Sequence, residues 1–225
     1  MRICAALLAV ALSGAVPAPA SATVRAAGEP VILVHGWAGS PSAMLALRDA
    51  FAAAGHPAYP IDLPGEENVA NAQAIAGLVA EVTAATGQPR VHLVAHSMGG
   101  LSARYYLKRL GGTPTVRTYV SMGTAQYGYL PACLLGPAEG GQMCPGSDFL
   151  RDLNEGDDTP GDVAYATFRS AQENARNVRL DGGACHLVIP GVGHADQPAA
   201  PAFVEAALST AAGRCPGTFV DTPPG

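Results

Sequence analysis

The 225-residue sequence predicts a three-layer α/β/α domain on a mostly parallel sheet of about six strands. Three observations lead there. Strand-like segments alternate with helix-like ones, the pattern of a parallel sheet covered on both faces. Glycines and prolines mark most switches between the two. Residues 91–110 then read as a strand, a sharp turn and a helix in immediate succession. At 48% hydrophobic residues the chain has ample material for a packed core, and its length fits a single domain over residues 23–225.

The elements follow in order. Val31-Ile32-Leu33-Val34 has no polar face, as a doubly covered strand requires. It runs into His35-Gly36-Trp37-Ala38-Gly39, and a helix over residues 42–54 closes at Gly55. Residues 58–63 form a second strand, 69–86 a second helix and 91–96 a third strand. The helix over 99–110 stops at Gly111-Gly112, and residues 116–122 make the fourth strand. From Gly123 to Asp162 the alternation breaks into a connection rich in glycine, proline and tyrosine. A connection of that length in a compact domain is functional or pinned. A fifth strand over 162–170, a sixth over 185–190 and a helix over 201–212 complete the pattern, and no internal repeat is visible.

Before the first strand, Met1-Arg2, an apolar run from Ile3 to Val16 and Ala18-Pro19-Ala20-Ser21-Ala22 match a secretory signal peptide over residues 1–22, cleaved after Ala20 or Ala22. The run is short for a membrane span, so the remaining chain is expected to be secreted, extracellular and without stable membrane insertion. Removing residues 1–22 deletes Arg2 from the 13 basic residues and leaves 12 against 18 acidic ones, a formal charge of −6. An acidic chain without a basic run argues against a nucleic-acid partner. Four cysteines remain, Cys133, Cys144, Cys185 and Cys215, an even number that in an exported chain reads as two disulfides with three possible pairings. A last helix of about 18 Å runs back along the sixth strand, which brings Cys215 near Cys185 and leaves Cys133 and Cys144 to close a short loop. No spacing of cysteine and histidine resembles a zinc site.

In a parallel sheet, functional groups collect at the carboxyl ends of the strands. Ser97 follows the third strand in Val94-Ala95-His96-Ser97-Met98-Gly99-Gly100, a turn that lifts a hydroxyl clear of the sheet and places it against the first turn of a helix. Taken alone, the same heptapeptide also fits an ordinary strand-to-helix turn with a capping hydroxyl. His194 follows the sixth strand in Pro190-Gly191-Val192-Gly193-His194, and Glu173 lies just past the fifth. Nucleophile, acid and base then stand in the order Ser97, Glu173, His194. Asp181 beside Gly182 is the competing acid, although a turn-forming role suits it better. The backbone N–H of Met98, and that of Trp37 in the loop after the first strand, are candidate oxyanion donors. His96 should point away from Ser97, His35 should brace the Trp37 loop, and His92 and His186 read as core or strand positions. The Trp37 ring either walls an acyl pocket or packs. Tyr127, Tyr129, Leu130, Leu134 and Leu135 either line an acyl groove or decorate a disulfide-pinned surface loop within residues 123–162. Asp152, Asp157 and Asp158 read as a solvated loop in preference to a calcium site.

These residues resemble one family, the small, lidless secreted bacterial lipases of lipase class 2, within the α/β-hydrolases. The resemblance covers residues 31–208. It is carried by Val34-His35-Gly36, by the Ala95-His96-Ser97-Met98-Gly99-Gly100 turn, where alanine before the serine is typical of the family, by Arg179-Leu180-Asp181-Gly182, and by Gly191-Val192-Gly193-His194. It implies a triacylglycerol lipase or carboxylesterase working through an acyl-enzyme on an ester or lipid substrate, as a monomer with no metal or organic cofactor. It places the acid at Glu173, where the family carries aspartate. An acyltransferase with the same three residues, and a non-catalytic binding protein on the same fold, are the alternatives.

Overall fold

The computed structural model describes residues 28–180 and 182–220; the expected signal peptide and Asp181 lie outside the described residues. A seven-stranded sheet organises the chain: β1 (Val31–Val34), β2 (Ala58–Pro60), β3 (Val91–His96), β4 (Val116–Met122), β5 (Ala164–Ser170), β6 (Ala184–Ile189) and β7 (Thr218–Val220). The spatial order is β2-β1-β3-β4-β5-β6-β7, with every pairing parallel except the antiparallel β6–β7 pair. The six expected strands are all present, and β7 is an addition. Three residues after Pro216-Gly217 carry no legible alternation, and a Cys185–Cys215 disulfide tethers this tail beside β6. The second strand ends earlier than expected, at Pro60, which has no N–H to extend a ladder and sits where prolines are tolerated, at an edge.

Period-two alternation divides the strands between two layers of helix. Val31, Leu33, Val94, Val120 and Phe168 face α1 (Leu45–Ala53) and α6 (Pro201–Ala211), burying Leu47, Phe51 and Phe203. Ile32, Val34, Leu93, Ala95 and Tyr119 face α2 (Asn68–Thr86) and α3 (Met98–Arg109), burying Ile75, Val79 and Leu107. After β1 the chain moves out to β2 and then returns to the other side of β1 for β3. The order therefore reverses between β1 and β3, and a crevice opens there at the carboxyl ends.

The long connection packs on α3 through a third apolar cluster in which Met98 and Leu101 meet Ala132, Met143, Phe149 and Leu150. It contains a short helix α4 (Asp148–Leu153), capped by the Ser147 hydroxyl, which accepts from the Leu150 N–H at 3.1 Å. A Cys133–Cys144 disulfide pins it. A buried charge cluster also anchors it, against the expectation of a solvated acidic loop. Asp158 is 2% exposed and accepts from Arg104 Nη2 at 2.5 Å, Lys108 Nζ at 2.9 Å and the Tyr127 hydroxyl at 2.8 Å. Arg104 and Lys108 lie four apart on α3, so one helix face presents both cations. Their spacing is legible in the sequence, but the carboxylate that meets them lies some fifty residues downstream. Asp158→Ala leaves two buried cations uncompensated and is expected to destabilise the fold by about 3–5 kcal/mol, read as a lower urea midpoint.

Candidate active site

The turn between β3 and α3 is built around a strained residue. Ser97 has φ 53° and ψ −129°, a conformation that non-glycine residues rarely adopt. Two backbone anchors hold it: its N–H donates to the Met122 carbonyl, and its own carbonyl accepts from Thr124 Oγ1, both at 2.8 Å. The neighbouring glycines permit close approach from three sides. A Cβ on Gly99 would lie 2.2 Å from the His35 carbonyl oxygen, one on Gly100 2.1 Å from Thr124 Oγ1, and one on Gly36 2.7 Å from Ser97 Cβ.

Ser97 Oγ lies 2.9 Å from His194 Nε2, and His194 Nδ1 lies 2.6 Å from Glu173 Oε1. His194 opens a 3-10 turn (His194–Ala199) that follows Gly193 and carries Gln197, fully buried, on its next turn. The second carboxylate oxygen of Glu173 accepts from the Ser170 N–H at 2.7 Å and from Gln197 Nε2 at 2.9 Å. Burial pushes the Glu173 carboxyl up, but the hydrogen bonds from His194, Ser170 and Gln197 together outweigh it and hold it below its usual range. The glutamate's extra methylene is taken up by a tight turn, in which the Glu173 N–H returns to the Ser170 carbonyl at 3.1 Å and Arg169 Nη1 donates to the Glu173 carbonyl at 2.8 Å. The sequence reading missed Gln197; its position three residues after His194 is the one signal that pointed to it.

Gly123, at φ +62°, closes the other side of this pair. A Cβ there would stand 2.4 Å from Gln197 Oε1, 2.6 Å from Glu173 Oε1 and 2.9 Å from His194 Nδ1. Gly123→Ala is expected to displace the acid and imidazole by up to an ångström and to lower kcat by about 100-fold. Steady-state kinetics on an aryl ester, with circular dichroism to confirm folding, measures it.

His96 departs from expectation. Its ring packs against that of His194, with centroids 4.8 Å apart, and its Nε2 donates to the His194 carbonyl at 2.9 Å. The side chain does leave β3 on the α1/α6 side, but the loop carrying His194 crosses the end of that strand and meets it. Burial first, and then the neighbouring His194, lower the His96 pKa to about 4, so the ring is neutral near pH 7 and carries its proton on Nε2. His35 braces the adjoining loops: Nδ1 donates to the Gly36 carbonyl at 2.9 Å and Nε2 accepts from the Leu63 N–H at 3.4 Å. His92 is a core position and His186 a β6 strand position, as read, and His186 also borders a second cavity.

Ser97, Glu173 and His194 open into a cleft of about 540 Å³ walled by Trp37, Met98, Leu101, Tyr129, Met143 and Val178. The Trp37 ring therefore lines the cleft, and its Nε1 donates to the Glu139 carbonyl at 2.9 Å, tying the loop after β1 to the long connection. Met98 opens α3, where first-turn N–H groups have no partner within the helix. Trp37 sits in a turn closed by the Gly39 N–H on the Gly36 carbonyl at 3.1 Å, followed by Ala38 at φ 51°. Among the described residues no group of three or more His, Cys, Asp or Glu side chains is placed to hold a metal ion.

Residues 28–197 match the sequence profile of the class 2 lipases. The chain belongs to the class 2 lipase family. Solved structures agree in fold. Lipase B from Aspergillus fumigatus is similar with a TM-score of 0.66 at 17% identity, over 87% of this chain and 54% of that one. A Bacillus licheniformis lipase in its propeptide form is similar with a TM-score of 0.60 at 22% identity, over 75% and 46%. A metagenome-derived lipolytic enzyme gives 0.63 at 12% identity, over 84% and 96%. This class 2 lipase family member thus spans about half the length of the first two proteins and nearly all of the third.

Proposed function

We propose that the chain is a serine carboxylic ester hydrolase, a lipase or carboxylesterase, whose nucleophile is Ser97. The observation that carries this reading is the unbroken line of hydrogen bonds from Ser97 Oγ through His194 to Glu173 at the mouth of an apolar-walled cleft. His194 Nε2 takes the Ser97 proton as Oγ bonds to the ester carbonyl carbon, and the Met98 and Trp37 N–H groups receive the developing oxyanion. The bond to the alcohol oxygen then breaks, and His194 returns the proton to the leaving alcohol. Water repeats the sequence on the acyl-enzyme, releases a carboxylic acid and restores Ser97. Glu173, held ionised by its three donors, fixes the imidazole tautomer and stabilises the transient imidazolium.

The cleft rim supports a lipid-derived ester. Tyr129 and Trp37, which line the cleft, are 54% and 48% exposed, and Leu130 and Leu134, 73% and 91% exposed, follow Tyr129 on the same connection without lining it. Apolar side chains of this size standing in water at a cleft mouth suit a substrate with a long acyl chain. The test is hydrolysis of aryl esters from short to long acyl chains, alongside emulsified triacylglycerol. Tyr129→Ser is expected to lower the rate on emulsion by about 10- to 150-fold, matching loss of about 1.5–3 kcal/mol of apolar burial, and to leave aryl acetate hydrolysis far less affected. Absence of turnover on every ester would defeat the proposal.

The same reading makes this an exported monomer, with residues 1–22 a cleaved signal and residues 23–225 one domain. The two disulfides support export. Among the described residues no helix is long and apolar enough to cross a membrane.

A further inference from the structure

A second cavity, of about 280 Å³, lies behind the loop that carries Glu173. Its floor is the face of the sheet that bears Thr167 and Arg169 on β5, registered against His186 and Val188 on β6. Val178 and Arg179, at the end of the short helix α5 (Ala175–Val178), also line it, and Val178 borders the Ser97 cleft on its other side. Two guanidinium groups thus border one small cavity, and among the described residues no carboxylate lines it.

The polar groups here are incompletely paired. Arg179 Nε and His186 Nε2 are both buried and both lack a hydrogen-bond partner within the protein, two such atoms at one cavity. Thr167 Oγ1 occupies His186 Nδ1, so Nε2 is the ring nitrogen left for a ligand. Arg169 turns Nη1 to the carbonyls of Ser170, Ala171 and Glu173 and adds its charge at the border. Burial, and then the charge of Arg179, lower the His186 pKa to about 4, so the ring is neutral near pH 7. Among the described residues no carboxylate meets the two cations, and an anionic ligand is their natural counterpart. Apart from Thr218 the remaining wall is aliphatic, with Val188 47% exposed at the opening, so the anion that fits carries a hydrocarbon tail. The volume falls just under the roughly 300 Å³ at which ordinary small-molecule pockets begin, so the tail is short.

We infer that this cavity binds a short alkyl carboxylate, its head group between Arg179 Nε and His186 Nε2 and its chain along Val178 and Val188. An alkyl carboxylate is also the product class of the proposed hydrolysis, but the assignment rests on the pocket's own charge and walls and uses no step at Ser97.

The test is titration of the folded, disulfide-bonded protein with hexanoate, followed by calorimetry and by the imidazole nitrogen resonances of His186 and His194 assigned separately. The expected result is a saturable shift at His186, affinity at least tenfold weaker in Arg179→Gln, and the same loss in Val188→Asp, which sets a competing carboxylate at the opening. Hexanol and sulfate, which lack the head group or the tail, are each expected to bind at least tenfold more weakly than hexanoate. A shift confined to His194, equal affinity in both variants, or hexanol or sulfate binding as tightly as hexanoate would overturn the assignment. Ester turnover is measured in parallel, so loss of the Ser97 reading and loss of this site are recorded as separate results.

Discussion

Ser97→Ala is expected to lower kcat/KM on an aryl ester by about 10⁶-fold, the scale of removing the nucleophile from a working triad. The expectation follows from position as much as from chemistry. The 2.9 Å contact to His194 Nε2 is lost, and every group around it survives, because the backbone anchors of residue 97 run through its N–H and carbonyl and owe nothing to the side chain. Alanine retains a Cβ at φ 53° and so inherits the strain. Ser97→Gly removes that strain and is expected to be equally inactive yet more stable by about 1 kcal/mol. A lower rate with unchanged or raised thermal stability separates a catalytic residue from a structural one.

Glu173→Gln is expected to cost about 10⁴-fold in kcat, the effect of leaving a triad imidazole in the wrong tautomer. All three partners of this carboxylate are donors: His194 Nδ1, the Ser170 N–H and Gln197 Nε2. A glutamine offers a single acceptor oxygen, so its NH₂ must face one of those donors. If it faces His194, the ring must turn Nδ1 into an acceptor and place its proton on Nε2, where it meets the Ser97 hydroxyl. Glu173→Asp keeps the charge but falls about an ångström short, and about 100-fold is expected. Asp181→Asn should leave the rate unchanged; a loss there of orders of magnitude with an active Glu173→Gln would reassign the acid.

Much of this arrangement was legible in local pattern. Val31–Val34 is apolar on both faces, and Val91–His96 and Val116–Met122 are dominated by β-branched and apolar residues, as parallel strands hidden on both faces are. The parallel sheet then puts the ends of β3, β5 and β6 on one edge, which is why Ser97, Glu173 and His194 were visible as candidates before any coordinate. What escaped reading depends on partners distant in sequence. Asp158 is buried because Arg104 and Lys108 wait on α3. His96 reaches His194 because a loop 98 residues away crosses its strand. Gly123 matters for the space it leaves to Glu173 and Gln197, and nothing adjacent to it in the chain announces that. Charge pairing and steric clearance across loops have no period, whereas strands and helices do.

In the proposed mechanism Ser97 Oγ attacks the carbonyl and carries the acyl group. The most direct measurement is stoichiometric modification by diethyl 4-nitrophenyl phosphate, with release of 4-nitrophenol followed in solution and the modified residue mapped by peptide mass spectrometry. The expected result is one diethylphosphoryl group per chain, located on Ser97, activity lost in proportion to labelling, and no labelling in Ser97→Ala or after unfolding. A label on a different residue that tracks the loss of activity, or full ester turnover in protein whose Ser97 is quantitatively labelled, would contradict it.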